Sequence, residues 1–274
     1  MARGTVLTTG GSSGIGLFTA VEVARLGYRS VATVRSEAKA EPLLAAAAEA
    51  GVTVEVVLLD VTDAHACEEV MARFRSDLYG LVNNAGYTNG GAIEETSDED
   101  ARQQIETMAV APMRLARLAL PTMRLAGRGR IVNVSSIYGR TTTPLLGWYE
   151  ASKHALEAVS DALRMEVASC GVRVVLIEPG AFRTGIWEHH DESMAGREDS
   201  HYSRAYQREL RIAQLAQPLM GHPKRVARVI GRALECRLPR ARYLVGYDAQ
   251  ATAFMDRLMP TTLQDVLTRI AMGL

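Results

Sequence analysis

Short β-branched apolar runs alternate along this chain with longer stretches whose apolar residues recur every three or four positions. The first kind predicts strands at 5–9 (TVLTT), 29–34 (RSVATV), 52–62 (VTVEVVLLDVT), 79–86 (YGLVNNAG), 129–136 (GRIVNVSS) and 172–180 (VRVVLIEPG). The second predicts helices at 16–27, 40–51, 64–74, from Ser97 toward Met123, and 149–171. Gly27 and Gly51 close the first two. The strand runs are apolar on both faces and separated by helices, the pattern of a parallel sheet covered on both sides. Six such alternations follow one another without a linker, so we expect one Rossmann-like, doubly wound α/β domain over residues 1–274. Two stretches break the rhythm. Residues 185–222 are polar and show no strand. Residues 239–274 hold a short strand-like RYLVG and then amphipathic helical patterns.

With 47% hydrophobic and 23% charged residues, the 274-residue chain has the make-up of a soluble protein with a sizeable core. Its formal net charge of zero gives no electrostatic case for nucleic acid or an anionic membrane. Cys67, Cys170 and Cys236 are odd in number and far apart, which supports neither a disulfide framework nor a zinc site. A reducing, cytoplasmic setting fits. The residues ahead of the first strand are too few for a signal peptide. No apolar run approaches the roughly 20 residues needed to span a bilayer. His189, His190 and His201 lack metal-ligand spacing with carboxylates and read as solvated loop histidines, so no metal is expected.

Candidate chemistry begins where the first strand meets the first helix, at LTTGGSSGIG (7–16). Gly10 permits a tight turn, Gly14 lets backbone approach a diphosphate, and Gly16 lets the helix pack closely on the strand. The helix N-terminus adds unpaired N–H groups and a positive dipole end. Arg35 follows the second strand, where an NAD-binding fold carries an acidic residue for the ribose 2′-hydroxyl. A guanidinium there suits a 2′-phosphate, with Ser12 as a further donor, so NADP(H) is favoured over NAD(H). Further on, Tyr149 and Lys153 lie four apart on one helix face. A neighbouring ammonium favours the phenolate and lowers a tyrosine pKa that is otherwise about 10. Ser135 and Ser136 end the preceding strand, where a hydroxyl could hold a substrate oxygen beside the tyrosine.

TGGSSGIG (9–16), NNAG (83–86), YEASK (149–153) and PGAFRT (179–184), in this order and separation, resemble the motifs of the short-chain dehydrogenase/reductase family over roughly residues 4–185. The resemblance implies that Gly10, Ser12, Ser13, Gly14, Ile15 and Gly16 cradle the cofactor phosphates and that Asp60 and Val61 border the adenine. It implies that Asn83, Ala85 and Gly86 line the ribose side, and that Pro179, Gly180, Phe182 and Thr184 hold the nicotinamide. Tyr149 becomes the general acid/base, Lys153 the ribose ligand, and Ser136 rather than Ser135 the group that positions substrate.

One position departs from the family. The asparagine of the usual proton relay aligns with Met108, whose thioether cannot replace an amide. Pro112 lies four residues on and has no N–H, so the Met108 carbonyl loses its helical donor and the helix is expected to kink. Either that freed carbonyl sustains the relay, or Met108 is core packing in an enzyme with a poorer one. Glu150, inside YEASK, is a milder oddity.

SSGIGL, ATVRS, RIVNVSS and SKHALEA resemble the 17β-hydroxysteroid and retinol dehydrogenase branch, which implies a hydrophobic alcohol, ketone or aldehyde as substrate. The resemblance makes 185–222 the substrate lid, with Trp187, Met194, Tyr202, Tyr206 and Met220 as candidate pocket residues. Leu156, Val159, Leu163 and Val167 form a core face on the Tyr149 helix. Relatives use that helix to assemble, so a homodimer or homotetramer is expected. The stripe Leu263, Val266, Leu267, Ile270 and Leu274 could cap the pocket, join a dimer interface or touch a membrane surface. The expected activity is NADP(H)-dependent alcohol–carbonyl interconversion. The alternatives are a catalytically impaired NADP(H) sensor and a reductase of smaller polar or carrier-bound carbonyls. Arg183, Arg197, Arg204, Arg208 and Arg211 would supply a carrier docking patch.

Overall fold

Seven parallel strands make one sheet in the computed structural model, ordered β3-β2-β1-β4-β5-β6-β7. The structure describes residues 3–274, apart from the side chains of Glu188 and His189. The strands are β1 (Thr5–Thr8), β2 (Arg29–Val34), β3 (Glu55–Leu58), β4 (Leu78–Asn83), β5 (Gly129–Val134), β6 (Val172–Pro179) and β7 (Arg242–Val245). The predicted α/β sheet is therefore present, with RYLVG supplying its seventh strand. The third strand is much shorter than the apolar run that predicted it. Leu59 and Val61 continue that run but are buried in the core beyond the strand.

Alternation along each strand feeds two cores, as period-two side chains must. Val6 packs with Val23 of α1 (Gly14–Arg25) and with Val226 and Ile230 of α9 (Lys224–Glu235) on one face. Its neighbour Leu7 packs on the other face with Val70 of α3 (Ala64–Arg73) and Leu115 of α5 (Ala111–Leu125). Helix α2 (Glu41–Glu49) closes on α1 through Leu43 and Ala47. On α6 (Gly147–Glu166), Leu156 is buried and Leu163 packs against the core, which also takes Val167 just beyond the helix; Val159 is exposed.

The helix predicted from Ser97 has three parts. Ser97 Oγ caps α4 (Asp98–Ile105) by accepting the Asp100 N–H at 3.1 Å. A π turn follows over Glu106–Val110, in which Ala111 N–H donates to Glu106 O five residues back, and then α5. The expected disturbance at Pro112 is thus a widened turn inside a continuing helix.

Residues 185–222 carry two helices, α7 (Ile186–Met194) and α8 (Ser203–Ala216). The chain ends in α10 (Tyr247–Leu258) and α11 (Thr261–Met272). Helix α11 leans on α8. Arg208 Nη1 donates to the Ile270 and Ala271 carbonyls at 2.8 and 3.3 Å, and Met272 is buried with Met194 and Tyr206. The predicted stripe of Leu263, Val266, Leu267, Ile270 and Leu274 is not the docked face and stands exposed. No helix among the described residues is long and apolar enough to cross a membrane.

Candidate active site

Because every strand runs the same way, all their carboxyl ends open on one rim, where open α/β sheets bind ligands. The candidate cofactor residues and Ser136 lie on that rim or in the turn that follows their strand, while Tyr149 and Lys153 lie on α6. The glycine turn leads from β1 into α1. Gly14 has φ +51°, and a Cβ on it would lie 2.9 Å from Thr184 Cγ2, so the turn after β6 closes against the turn after β1. Gly16 is more constrained still, since a Cβ there would lie only 2.1 Å from Gly10 O. Ser13 is the N-cap of α1 but makes no side-chain cap hydrogen bond, which leaves first-turn N–H groups available to an acceptor. Ser12 and Ile15 are half-buried beside it. Arg35 is exposed just past β2 and has no hydrogen-bond or ion-pair partner among the described residues. Bare helix donors and an uncommitted guanidinium fit the phosphates of a nicotinamide dinucleotide.

The remaining cofactor candidates divide by orientation. Asp60 Oδ1 accepts from Thr62 N and Oγ1 at 2.9 and 2.7 Å, which fixes the turn after β3. Val61 O accepts from Arg114 at 3.1 Å. Asn83 is turned into the core, donating to Asn133 Oδ1 at 2.8 Å and Pro112 O at 3.2 Å; only its backbone is left for a ribose. Its neighbour Asn84 donates instead to Thr9 O and Gly10 O at 2.9 and 3.1 Å, tying the NNAG turn to the glycine turn. Ala85 N–H donates to Thr9 Oγ1 at 3.0 Å. Gly86 faces Met108, whose Sδ would lie 3.0 Å from a Cβ at that glycine. Pro179 ends β6, Gly180 N–H donates to Val245 O at 2.9 Å, and Phe182 is buried against Gly221.

The reactive group assembles where β5 meets α6. Ser136 Oγ accepts the Tyr138 N–H at 3.2 Å and lies on the Tyr149 side, where it draws the Tyr149 pKa down. Ser135 is turned away toward Glu157. The Lys153 ammonium lies 5.8 Å from the centre of the Tyr149 ring and donates to Val134 O at 2.9 Å. Tyr138 stands edge-on to Tyr149 at 6.4 Å. Leu145 takes a left-handed backbone, φ +70°, and accepts the Gly91 N–H at 2.7 Å, which aims the start of α6. Burial governs the protonation of both groups. It pushes Tyr149 up to about 12, with Ser136 pulling it back and Glu150 adding to the rise. It pushes Lys153 down to about 8, against the pull of Glu157.

Met108 is buried, with Gln104 Nε2 3.9 Å from its sulfur. Gln104 also donates to Tyr87 O at 2.8 Å and accepts the Asn89 N–H at 3.1 Å, so the amide one turn earlier orders the loop past NNAG.

Over the site, Met194, Tyr202 and Tyr206 join Leu145, Leu146 and Met272 in one apolar cluster, with Trp187 edge-on to His190 nearby. Met220 is buried near the end of the 185–222 segment. His190 corrects an expectation. It is buried, not solvated, and sits between Asp191 at 3.2 Å and Glu209 at 3.4 Å, because α7 and α8 enclose it. His201 is exposed, and the His189 side chain lies outside the described residues. No cluster among the described residues is built to hold a metal. Two of the five candidate docking arginines are engaged, Arg197 with Glu95 and Arg208 with α11.

Comparison with known proteins agrees with this architecture. The family model described as short chain dehydrogenase matches residues 4–195. The chain is 37% identical to the uncharacterized oxidoreductase YusZ of Bacillus subtilis (strain 168), over 95% of each chain. It is 31% identical to retinol dehydrogenase 5 of Homo sapiens, over 96% of this chain and 86% of that one. A variant of actinorhodin polyketide ketoreductase solved with NADPH superposes with a TM-score of 0.77 at 28% identity, covering 92% of this chain and 99% of that one.

Proposed function

The chain belongs to the short-chain dehydrogenase family and is an oxidoreductase of alcohol and ketone groups, and on that footing we propose that it is an NADP(H)-dependent enzyme interconverting a hydrophobic alcohol with its ketone or aldehyde. The observation that carries this reading is the buried Tyr149, with Ser136 of the preceding strand end drawing its pKa down and the Lys153 ammonium 5.8 Å from its ring centre. Arg35, free beyond β2, supports NADP(H) over NAD(H). The apolar cluster of Leu145, Leu146, Met194 and Tyr206 supports an apolar substrate.

When bound, the cofactor supplies or takes the hydride. The protein's own part is the proton. In reduction, Ser136 holds the substrate oxygen and Tyr149 donates its phenolic proton to it. Burial keeps that phenol protonated near neutrality, which favours the donor role. In oxidation Tyr149 must accept the proton, so the oxidative rate rises with pH. Lys153 holds the nicotinamide ribose and steadies the phenolate. The α7–α8 segment closes over the substrate as a lid. We place the enzyme in the cytoplasm as a homodimer or homotetramer.

Met108 favours a second reading, an NADP(H)-binding sensor with a weakened proton path. The two separate by NADPH consumption over a panel of apolar ketones and aldehydes, with the unmodified protein, Tyr149→Phe and Met108→Asn. Turnover by the unmodified protein, lost about 10²–10⁴-fold in Tyr149→Phe, is the expected result. NADPH binding with turnover only in Met108→Asn would replace the enzyme reading with the sensor.

A further inference from the structure

Residues 180–184 follow β6 and form the turn that the family motif assigns to the nicotinamide. Two neighbours fix the backbone of this turn. On one side Gly221 donates its N–H to Ala181 O and accepts the Arg183 N–H, both at 3.0 Å. On the other side lies β7, whose Val245 O accepts the Gly180 N–H at 2.9 Å. Strand β7 ends at Val245, and the next N–H of the turn, that of Ala181, donates instead to a side chain, Asp248 Oδ2, at 2.5 Å.

Asp248 is the second residue of α10 and comes 67 positions after Ala181. Two glycines let its carboxylate in. A Cβ on Gly180 would collide with both carboxylate oxygens, and a Cβ on Gly246 would collide with Oδ1. Gly246 also has φ +118°, a backbone that side chains rarely adopt, where the chain turns from β7 into α10. An acid in the first turn of a helix has an ordinary use, since it meets the positive end of the helix dipole. Asp248 does more than that, because the N–H it takes belongs to another segment. The far end of the turn has little slack. Thr184 abuts Gly14 of the glycine turn, and Trp187 Nε1 donates to Phe182 O at 2.8 Å. An Ala181 N–H released from its carboxylate would let the Gly180–Ala181 peptide rotate, and the residues up to Thr184 would shift with it.

We infer that Asp248 is a positioning residue for the nicotinamide half of the cofactor. Its carboxylate locks the Gly180–Ala181 peptide and so sets where Phe182 and Thr184 stand. The consequence for the cofactor rests on the NADP(H) reading; the lock on the peptide does not.

Asp248 is exposed, so its replacement opens no cavity in the core. Asp248→Ala removes the acceptor and the charge, whereas Asp248→Asn removes only the charge. Amide hydrogen exchange of the full chain without cofactor, read on peptides covering 180–184, tests the lock. Exchange there should rise about tenfold in Asp248→Ala and stay near the unmodified rate in Asp248→Asn. Equal exchange in Asp248→Ala and the unmodified protein overturns the inference. A rise as large in Asp248→Asn also overturns it, in favour of a charge that serves only the helix dipole. Ligand binding then tests the consequence. Kd for NADPH should rise about three- to tenfold in Asp248→Ala, while Kd for adenosine 2′,5′-bisphosphate, which lacks the nicotinamide, should stay the same. Two Kd values that rise together, or an NADPH Kd that does not move, would overturn the role toward the nicotinamide. Raised exchange in Asp248→Ala, with an unmodified protein that binds neither ligand, would uphold the lock and reject the cofactor reading.

Discussion

Glu150 sits beside the reactive tyrosine and is a buried acid with one committed oxygen. Its Oε1 accepts from Thr143 N and Oγ1 at 2.8 and 3.0 Å, while Oε2 has no partner. Burial raises its pKa to about 8 from 4.5, with Thr143 pulling it back and Glu209 adding to the rise. The folded chain therefore binds more protons at this residue than the unfolded chain between those values. Stability falls as pH rises from about 4.5 to about 8. Lys153 has the opposite sign in a higher window. Its folded value of about 8 lies below 10.5, so its contribution recovers as pH rises between the two. Glu150→Gln keeps an acceptor for Thr143 and removes the charge. Its Tm should match the unmodified protein near pH 5 and exceed it at pH 8, by about 2–4 °C for each kcal/mol recovered. Thermal scans at the two pH values check this. Much at this scale was legible in the sequence. The four-residue step from Tyr149 to Lys153 needs only helix geometry, and Ser136 stands where its spacing to Tyr149 placed it. Asp248 was not legible, because its partner Ala181 lies 67 residues earlier and only the pairing of β6 with β7 brings them together. Asn83 shows the converse. A motif names the residue, but whether its side chain faces ligand or core depends on Asn133 in the next strand.

Among the elements, the π turn at Glu106–Val110 carries the consequence of Met108 and Pro112. One extra residue in that turn and a missing N–H at 112 deny the Met108 carbonyl its ordinary i+4 donor. A Met108 carbonyl left open in this way would serve a proton path that the methionine side chain cannot; otherwise Met108 is core packing beside a poorer path. Pro112→Ala returns the N–H and should let the turn tighten. We expect turnover to fall about tenfold or more, with a displaced pH profile. A variant that leaves both unchanged would remove the carbonyl from the path. The strand–helix alternation was readable because period-two and period-3.6 patterns differ over a few residues. The π turn was hidden because one inserted residue barely disturbs a 3.6-residue pattern, and Pro112 was its one sign. Helices α7 and α8 were hidden for another reason. Their polar composition matches loops, and their helical state comes from packing on the segment between β4 and α4.

Across the whole molecule, the last helix reaches back to the site. Arg208 caps the carbonyl end of α11, and that bond seats Met272 in the apolar cluster above the Tyr149 region. Arg208→Ala should loosen α11. Limited proteolysis should then cut more readily after Pro260, and KM for apolar substrates should rise while Kd for NADPH stays the same. If Kd moved with KM, α11 would be a general prop for the fold. The loop before α4 adds a last point. Glu95 accepts from Ser200 Oγ at 2.5 Å and from Tyr206 OH at 2.7 Å, and lies 3.6 Å from Arg197. Gly90 N–H donates to Ser193 Oγ at 2.9 Å and Ala92 N–H to Tyr206 OH at 2.8 Å, so one short loop holds both α7 and α8. With Arg208 bound to α11, the pair of helices is stitched along two seams, and loosening one leaves the other to hold it.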